Sequence, residues 1–408
     1  MADGSAKRAK ILTLSRLPKL TDRTLEKLNG GGFSRNDIRR TQIELGRKVL
    51  RPLQLQLNNG GGALDIVCAN PLLLMQWFAE ECPAYKMLLE RSAVGDAPLL
   101  SVLLYLDEVT PGDPLQPVLN KKFYMYYMSF AEFGPEVLFR EEVWLTIAVF
   151  RTVMLKDIKA STSGATRSLL RHMFLDGSPN FKVGAAFRFD PPKLIRAKLV
   201  GVIADAAALK AMFHWKGASG LKPCIECDNL WMKNSRIELP NAVTLGCFDS
   251  SLYEKRSDED VWDAYDTLQA QLGIVGVGFF KDLERGCGLK LVPGSLLEDV
   301  ELRDVVRPVS HKIDDWPHIF FQSGLFNVEF RLLLDRCEEK ETNIGWHTFR
   351  ECSAADWKFP KDHAAVNRSL SEGLLTCSDD CRTRYTAFSS DDYRTGLALR
   401  GPERLMEA

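Results

Sequence analysis

Two apolar runs, each followed directly by an aspartate, constrain the fold of this chain more than any other feature. LLSVLLYL spans Leu99–Leu106 and leads into Asp107, while KLVGVIA spans Lys198–Ala204 and leads into Asp205. Continuous apolar runs of this length are typical of buried strands. If the two strands are neighbours in one mixed sheet, their carboxylates lie close together and repel each other unless a divalent cation lies between them. Acids at strand ends are also common without such a role, so this pattern alone leaves both interpretations open.

The segments around these runs predict an α/β fold. Lys121–Phe130 is rich in aromatic residues and Val143–Phe150 is apolar, so each fits a strand. Val153–Phe174 reads as helical, and the alanine- and leucine-rich stretch Ala206–Phe213 is a helix signal. The predicted order is strand, strand, strand, helix, strand, helix, and we expect Tyr124–Ser129 on the strand next to that of Asp107.

Length and charge set the domain organisation and exclude some classes of protein. With 408 residues, the chain is long enough for two or three domains. Its 53 basic and 54 acidic side chains exclude a uniformly basic nucleic-acid coat, although not a local basic patch. The longest apolar runs are too short to cross a membrane. We divide the chain into a basic helical N-terminal region (1–95), a core (96–215), a Cys-bearing insertion (216–310) and a C-terminal helix with a polar tail (311–408).

The first 60 residues are rich in lysine and arginine, and Thr24–Arg51 reads as helical on either side of Gly30–Gly32. Pro71–Glu90 has apolar residues spaced for a further helix. Charge runs usually form solvated surfaces, but this one is also compatible with a DNA-contacting or nuclear-import segment. The basic residues most relevant to DNA contact are Arg39, Arg40 and Lys48.

A C-x-x-C motif predicts half of a zinc site. Cys224 and Cys227 are separated by two residues on a predicted turn, so both thiolates can reach one tetrahedral Zn²⁺. A redox motif is the alternative, but it should lie between a strand and a helix, and here a helix precedes the motif. Further ligands could come from Asp315 and His318 in a D-x-x-H motif. Another possible half-site is the later pair Cys377 and Cys381.

Taken in order, these motifs resemble the catalytic domain of cut-and-paste DNA transposases, in particular the CACTA-like and Kyakuja-Dileera-Zisupton (Plavaka-like) groups. The resemblance covers about Ala97–Cys337, more than half of the chain. It is carried by LDEVTPGDPLQP, GVIADAAALKAMFHWKGASGLKPCIEC and DDWPHIFFQSGLFNVE. It implies a ribonuclease H-like mixed sheet with flanking helices and a zinc-binding insertion. It also implies three acids, usually Asp-Asp-Glu, that hold two Mg²⁺ or Mn²⁺ ions.

The resemblance assigns roles to individual residues of this chain. Asp107 and Asp205 match the first two metal-binding acids, and Cys224, Cys227 and His318 match the ligands of a structural Zn²⁺. The third acid departs from the pattern, because only 90 residues follow His318 and no clear matching segment is present. Glu329 is the nearest candidate. Two weaker candidates for this acid are Glu338 and Glu351.

The sequence therefore supports three functional hypotheses. The leading one is a transposase-related protein with a two-aspartate metal site for DNA phosphodiester cleavage or strand transfer, in a truncated or domesticated and catalytically incomplete copy. The second is a non-catalytic, zinc-stabilised DNA-binding or interaction protein derived from a transposable element. The third is an unrelated α/β enzyme in which the aspartates have other roles. For the first two we expect a DNA partner, a homo-oligomer and a nuclear location, otherwise a cytoplasmic one.

Overall fold

The computed structural model describes residues 46–315, apart from positions 59, 61, 96, 110–121, 233–239, 245–246 and 248. Several predictions fall outside this part of the chain. They concern the basic segment before residue 46, His318, the three glutamates proposed for the third acid, and the late cysteine pair.

A mixed sheet forms the centre of the fold. Its strands are β3 (Leu99–Val109), β4 (Phe123–Phe130), β5 (Leu145–Arg151), β7 (Lys193–Ala204) and β10 (Lys312–Asp314). They lie in the order β10-β7-β3-β4-β5, and the short strand β6, Ala185–Phe187, pairs with β7. The neighbours β10, β7 and β3 are parallel, whereas β3, β4 and β5 are joined antiparallel.

The sheet confirms the strand pattern predicted around the two aspartates. Both apolar runs are strands, and they are adjacent and parallel, with Leu106 opposite Ala204. Strand β4 lies on the other side of β3, which confirms the expected position of Tyr124–Ser129. The sheet also extends beyond the core assigned to 96–215, because β10 follows the insertion and pairs with β7.

Helices cover one face of this sheet, which we call the inner face. The buried residues of β3 on this face are Leu100, Val102, Leu104 and Leu106. From β4, the Tyr126 hydroxyl lies 2.9 Å from the Thr166 hydroxyl of helix α5. The helices are α1 (Pro71–Glu81), α2 (Pro83–Ser92), α3 (Pro135–Leu138), α4 (Thr152–Leu155), α5 (Ser161–Arg171), α6 (Ala206–Phe213), α7 (Asp258–Gln271) and α8 (Val277–Cys287).

The N-terminal region was predicted to be helical, but its described part also contains two strands. Leu50–Gln56 (β1) and Ala63–Ala69 (β2) form an antiparallel hairpin. Leu53 and Leu55 are buried in β1 while Pro52, Gln54 and Gln56 are exposed, and this period of two is a strand pattern. The single helix predicted over Pro71–Glu90 is two helices, because Pro83 cannot donate the backbone hydrogen bond that a continuous helix needs.

The insertion is anchored to the core through a buried carboxylate. It contains the two-residue strands β8 (Leu230–Trp231) and β9 (Val243–Thr244) as well as α7 and α8. Asp299 accepts hydrogen bonds from Arg167 Nε at 2.7 Å and from Arg171 Nη1 at 3.0 Å, both on α5. The arginines lower the pKa of Asp299 against the effect of its burial. This ion-paired contact fixes the insertion against the helices of the inner face.

Candidate functional site

Three aspartates lie at one edge of the central sheet. Ala204 of β7 is opposite Leu106 on one side and Asp314 on the other. The next residues along the three parallel strands are Asp107, Asp205 and Asp315. Because neighbouring parallel strands present their carboxyl ends at the same edge, the topology brings these aspartates together. We call this edge the carboxylate edge.

Asp205 is held by the helix that it begins. It is the N-cap of α6, and its Oδ1 accepts a hydrogen bond of 2.6 Å from the backbone N–H of Ala208. Its backbone is extended, as in a usual N-cap. The strand-to-helix transition that the sequence predicted therefore fixes the orientation of this carboxylate.

Asp107 lies within β3, because the strand continues to Val109 instead of ending at Leu106 as the sequence indicated. It alternates with Glu108, which faces the opposite side of the sheet. Glu108 is engaged by Lys122 Nζ at 2.7 Å and by the Thr152 hydroxyl at 2.9 Å. The two successive acids therefore belong to different surroundings.

Burial and the nearby carboxylates raise the pKa of two tyrosines at this edge. Burial, followed by the neighbouring Tyr126 and then by the carboxylate of Asp205, raises the pKa of Tyr124, and Asp107 adds to the shift. Burial also raises the pKa of Tyr105, together with the charges of Asp107 and Asp315. Both phenols therefore stay protonated and neutral at neutral pH.

The D-x-x-H motif indicates Asp315 only as a possible zinc ligand, whereas the structure places it at the carboxylate edge. Its backbone N–H donates to the carbonyl of Ala204 at 3.0 Å, which continues the pairing of β10 with β7. Its side chain accepts a hydrogen bond of 3.2 Å from the Tyr105 hydroxyl and is largely buried. The sequence gives little signal for this position, because β10 is only the three residues Lys312–Asp314 and two of them are charged.

The C-x-x-C motif forms a compact turn near this edge. The backbone N–H of Glu226 donates to Cys224 Sγ at 3.4 Å. Burial raises the pKa of Cys227 to about 12, and the charge and hydrogen bond of Cys224 contribute to that shift. The two sulfurs are therefore neighbours, as the motif predicted, and both are free thiols. Whether His318 joins them lies outside the described residues.

A buried lysine connects the cysteine turn to strand β10. The ammonium of Lys312, on β10, pairs with Glu226 from the turn and with Asp314. It also lies 5.9 Å from the centre of the Trp215 ring. Only 6% of this side chain is exposed, and the two carboxylates raise its pKa despite burial. No local pattern of residues in the sequence indicates this connection.

The described residues contain two sets of side chains of metal-ligand type, the three aspartates of the carboxylate edge and the two cysteines of the turn. Within the part of the chain that the structure describes, no group of three or more His, Cys, Asp or Glu side chains is arranged to hold a metal ion. The fit to a metal is therefore partial at both places. The aspartates are hard oxygen ligands suited to Mg²⁺ or Mn²⁺, and the thiols are suited to Zn²⁺.

Comparison with known proteins adds no further assignment. No protein-family model matches the chain, and no curated protein matches it. Among the helices described by the structure, none is long and apolar enough to span a membrane.

Proposed function

We propose that this chain has a ribonuclease H-like core in which Asp107 and Asp205 bind divalent metal, as a catalytically incomplete copy of a transposase site for DNA phosphodiester cleavage or strand transfer. The observation that carries the proposal is the position of these two residues on adjacent parallel strands. Their strands lie at the middle of the order β10-β7-β3-β4-β5. This central position in a mixed sheet supports the ribonuclease H-like core that the resemblance implies.

Neighbouring groups orient the carboxylates that would bind the metal. The hydrogen bond from Ala208 holds one oxygen of Asp205, which orients the carboxylate. The Tyr105 hydroxyl donates a hydrogen bond to Asp315 and so orients that carboxylate. Asp107 lies on β3, the strand between β7 and β4. When bound, Mg²⁺ or Mn²⁺ would activate water or a 3′-hydroxyl and stabilise the leaving oxygen.

The third carboxylate remains a proposal with two candidates. The resemblance to transposases favours Glu329. The sheet favours Asp315, because it follows the strand next to that of Asp205 and lies at the same edge. If neither residue completes the site, the aspartates still bind a cation but catalysis is weak.

Metal titration tests this site directly. We expect Asp107→Asn and Asp205→Asn each to weaken Mn²⁺ binding at least about tenfold, since even outer-shell partners contribute about 10–100-fold to metal affinity. Asp282→Asn, at an exposed acid of α8, is the matched control and should bind as the unsubstituted protein does. Electron paramagnetic resonance of free Mn²⁺ measures the affinity. Equal affinity in all four proteins would contradict the proposal.

DNA cleavage with Mn²⁺ then separates a complete site from an incomplete one. We expect weak or absent cleavage despite metal binding. Robust cleavage that Asp107→Ala abolishes would show that the third acid is present, and the Glu329→Gln and Asp315→Asn variants would identify it.

The second candidate function is a non-catalytic, zinc-stabilised DNA-binding or interaction protein. The observation that favours it is the buried Lys312, which joins the cysteine turn to the sheet. Through this lysine, a Zn²⁺ at the turn would stabilise the core even without any reaction at the aspartates. Zinc content in a protein that binds no Mn²⁺ would favour this function over the first.

A further inference from the structure

Three aromatic rings lie together beside the carboxylate edge, on the face of the central sheet opposite the inner face. Tyr105 of β3 is directly opposite Tyr127 of β4, and their ring centroids are 6.0 Å apart with an angle of 25° between the ring planes. The Trp144 ring lies 6.0 Å from that of Tyr105, in an edge-to-face arrangement. The three rings form one continuous surface, which we call the aromatic row.

The aromatic row is only partly covered by the protein. Leu104 and Leu106, which alternate with Tyr105 along β3, are buried on the inner face. Tyr105, Tyr127 and Trp144 are each partly exposed. The two tyrosines also lie outside the cluster of buried hydrophobic side chains that forms the core. Part of the ring surface is therefore accessible to a ligand.

The aromatic row adjoins Asp107. This aspartate is two residues after Tyr105 on the same face of β3, a distance of about 7 Å along a strand. Its partner across the ladder is Met125, whose sulfur accepts a hydrogen bond of 3.1 Å from the Tyr127 hydroxyl. Burial raises the pKa of both tyrosines, and the charge of Asp107 adds to the shift. A ligand on the aromatic row would therefore have its adjoining groups at the carboxylate edge.

We propose that the aromatic row binds an unpaired base of a DNA strand whose phosphate is held at the carboxylate edge. Aromatic side chains stack on the bases of single strands with little regard to sequence. A base inside a duplex is covered by its neighbours, so it reaches such a surface only when it is unstacked and unpaired. This inference rests on the proposed function and specifies the substrate as DNA with unpaired bases.

The charges around the aromatic row make this binding depend on a divalent cation. The acids whose charge acts on the two tyrosines are Asp107, Asp315 and Glu141. Without a cation these carboxylates repel a phosphate group, because like charges repel. With a divalent cation bound, the same edge can hold a phosphate oxygen through the metal. Binding of DNA at the aromatic row should therefore require Mn²⁺, whereas binding by the basic N-terminal region should not.

Photochemical cross-linking of the full chain locates the base. A single-stranded oligonucleotide that carries 5-iododeoxyuridine couples on irradiation to an aromatic ring that lies against the base, and mass spectrometry identifies the labelled residue. With Mn²⁺ present we expect the label on Tyr127 or Trp144. Replacing Mn²⁺ by EDTA, or pairing the oligonucleotide fully with its complement, should remove this label.

Substitutions of Tyr127 measure the contribution of the ring. Tyr127→Leu should weaken the Mn²⁺-dependent binding of the single strand at least about fivefold, because stacking on one ring is lost. Tyr127→Phe keeps the ring and should bind as the unsubstituted protein does. Phe279→Leu is the matched control, since Phe279 is a 61% exposed ring on α8, outside the sheet. Thermal unfolding of each variant shows whether a lost affinity comes from the ring or from the fold.

Two outcomes would overturn the proposal while leaving the metal site in place. One is Mn²⁺ binding without any label on the aromatic row, and the other is equal labelling by the single strand and the duplex. Absence of Mn²⁺ binding in a titration without DNA would instead overturn the proposed function, and this inference with it. The labelling uses the unsubstituted protein, so it decides the question even where a variant fails to fold.

Discussion

His214 shows how a single residue can couple the stability of this protein to pH. It ends helix α6 in a left-handed conformation with φ 52°, and its carbonyl accepts a hydrogen bond of 2.8 Å from the N–H of Lys290. Burial lowers the pKa of the imidazole to about 4, and the charge of Lys290 contributes to the shift. The folded protein therefore holds this histidine neutral.

A lowered pKa of a base predicts a loss of stability in acid. The unfolded chain takes up the proton near pH 6.5, whereas the folded protein resists it to about pH 4. Stability is therefore complete above pH 6.5 and falls as the pH decreases towards 4, by up to about 3 kcal/mol. Urea unfolding at pH 7 and pH 4.5 measures this change. His214→Asn keeps a residue that tolerates the left-handed conformation and should reduce the pH dependence. The same pH dependence in both proteins would assign it to other groups.

At the scale of elements, the cysteine turn depends on close contact with the end of helix α8. Gly288 ends this helix with φ +73°, and a Cβ at this position would lie 2.7 Å from the carbonyl oxygen of Lys222. Lys222 lies two residues before Cys224, so the packing of α8 positions the turn.

Gly288→Ala should therefore destabilise the protein more than the backbone conformation alone explains. The left-handed conformation costs about 1–2 kcal/mol for alanine, and displacement of the Lys222 backbone adds to this cost. Gly273→Ala is the control, because Gly273 has φ +79° but nothing within 4 Å of the added Cβ. Chemical denaturation of both variants measures the difference. An equal decrease in the free energy of unfolding in both variants would show that the Lys222 backbone moves aside without an energetic cost.

Zinc binding at the same turn gives a second test at this scale. If Cys224 and Cys227 hold a structural Zn²⁺, Cys224→Ser should lose stoichiometric zinc and lower the melting temperature, since structural zinc contributes about 10 kcal/mol or more to folding of small sites. Cys68→Ser is the control for zinc content, because Cys68 is buried in the hairpin strand β2. Elemental analysis measures the metal. Unchanged zinc in Cys224→Ser would count against the site.

At the scale of the whole molecule, net charge near zero requires that any DNA affinity come from a local basic region. The N-terminal segment is the candidate, because phosphate contacts release counterions and make affinity fall with salt. Neutralising Arg39, Arg40 and Lys48 should reduce the slope of log affinity against log salt by about one for each residue that contacts phosphate. A matched triple substitution at the exposed Lys182, Arg188 and Lys281 should leave the slope unchanged. Binding that is indifferent to the first three substitutions would remove this region from the DNA site.

The sequence by itself determined the central part of the fold. The apolar runs before Asp107 and Asp205 are strands, and the alanine-rich segment after Asp205 is a helix, as predicted. These elements have strong local signals, because apolar strand-forming residues fill the first two segments and helix-forming alanine and leucine fill the third. The C-x-x-C spacing likewise determined that the two sulfurs are neighbours, since residues so close in sequence meet through local turn geometry.

Only the tertiary structure decided which distant residues join these elements. Asp315 reaches the carboxylate edge because β10 pairs with β7 after an insertion of almost 100 residues, and a three-residue strand carries too little pattern to predict that pairing. Lys312 connects Glu226 to Asp314 for the same reason. Register and long-range strand pairing depend on the packing of the whole sheet. They are therefore absent from any local pattern of residues.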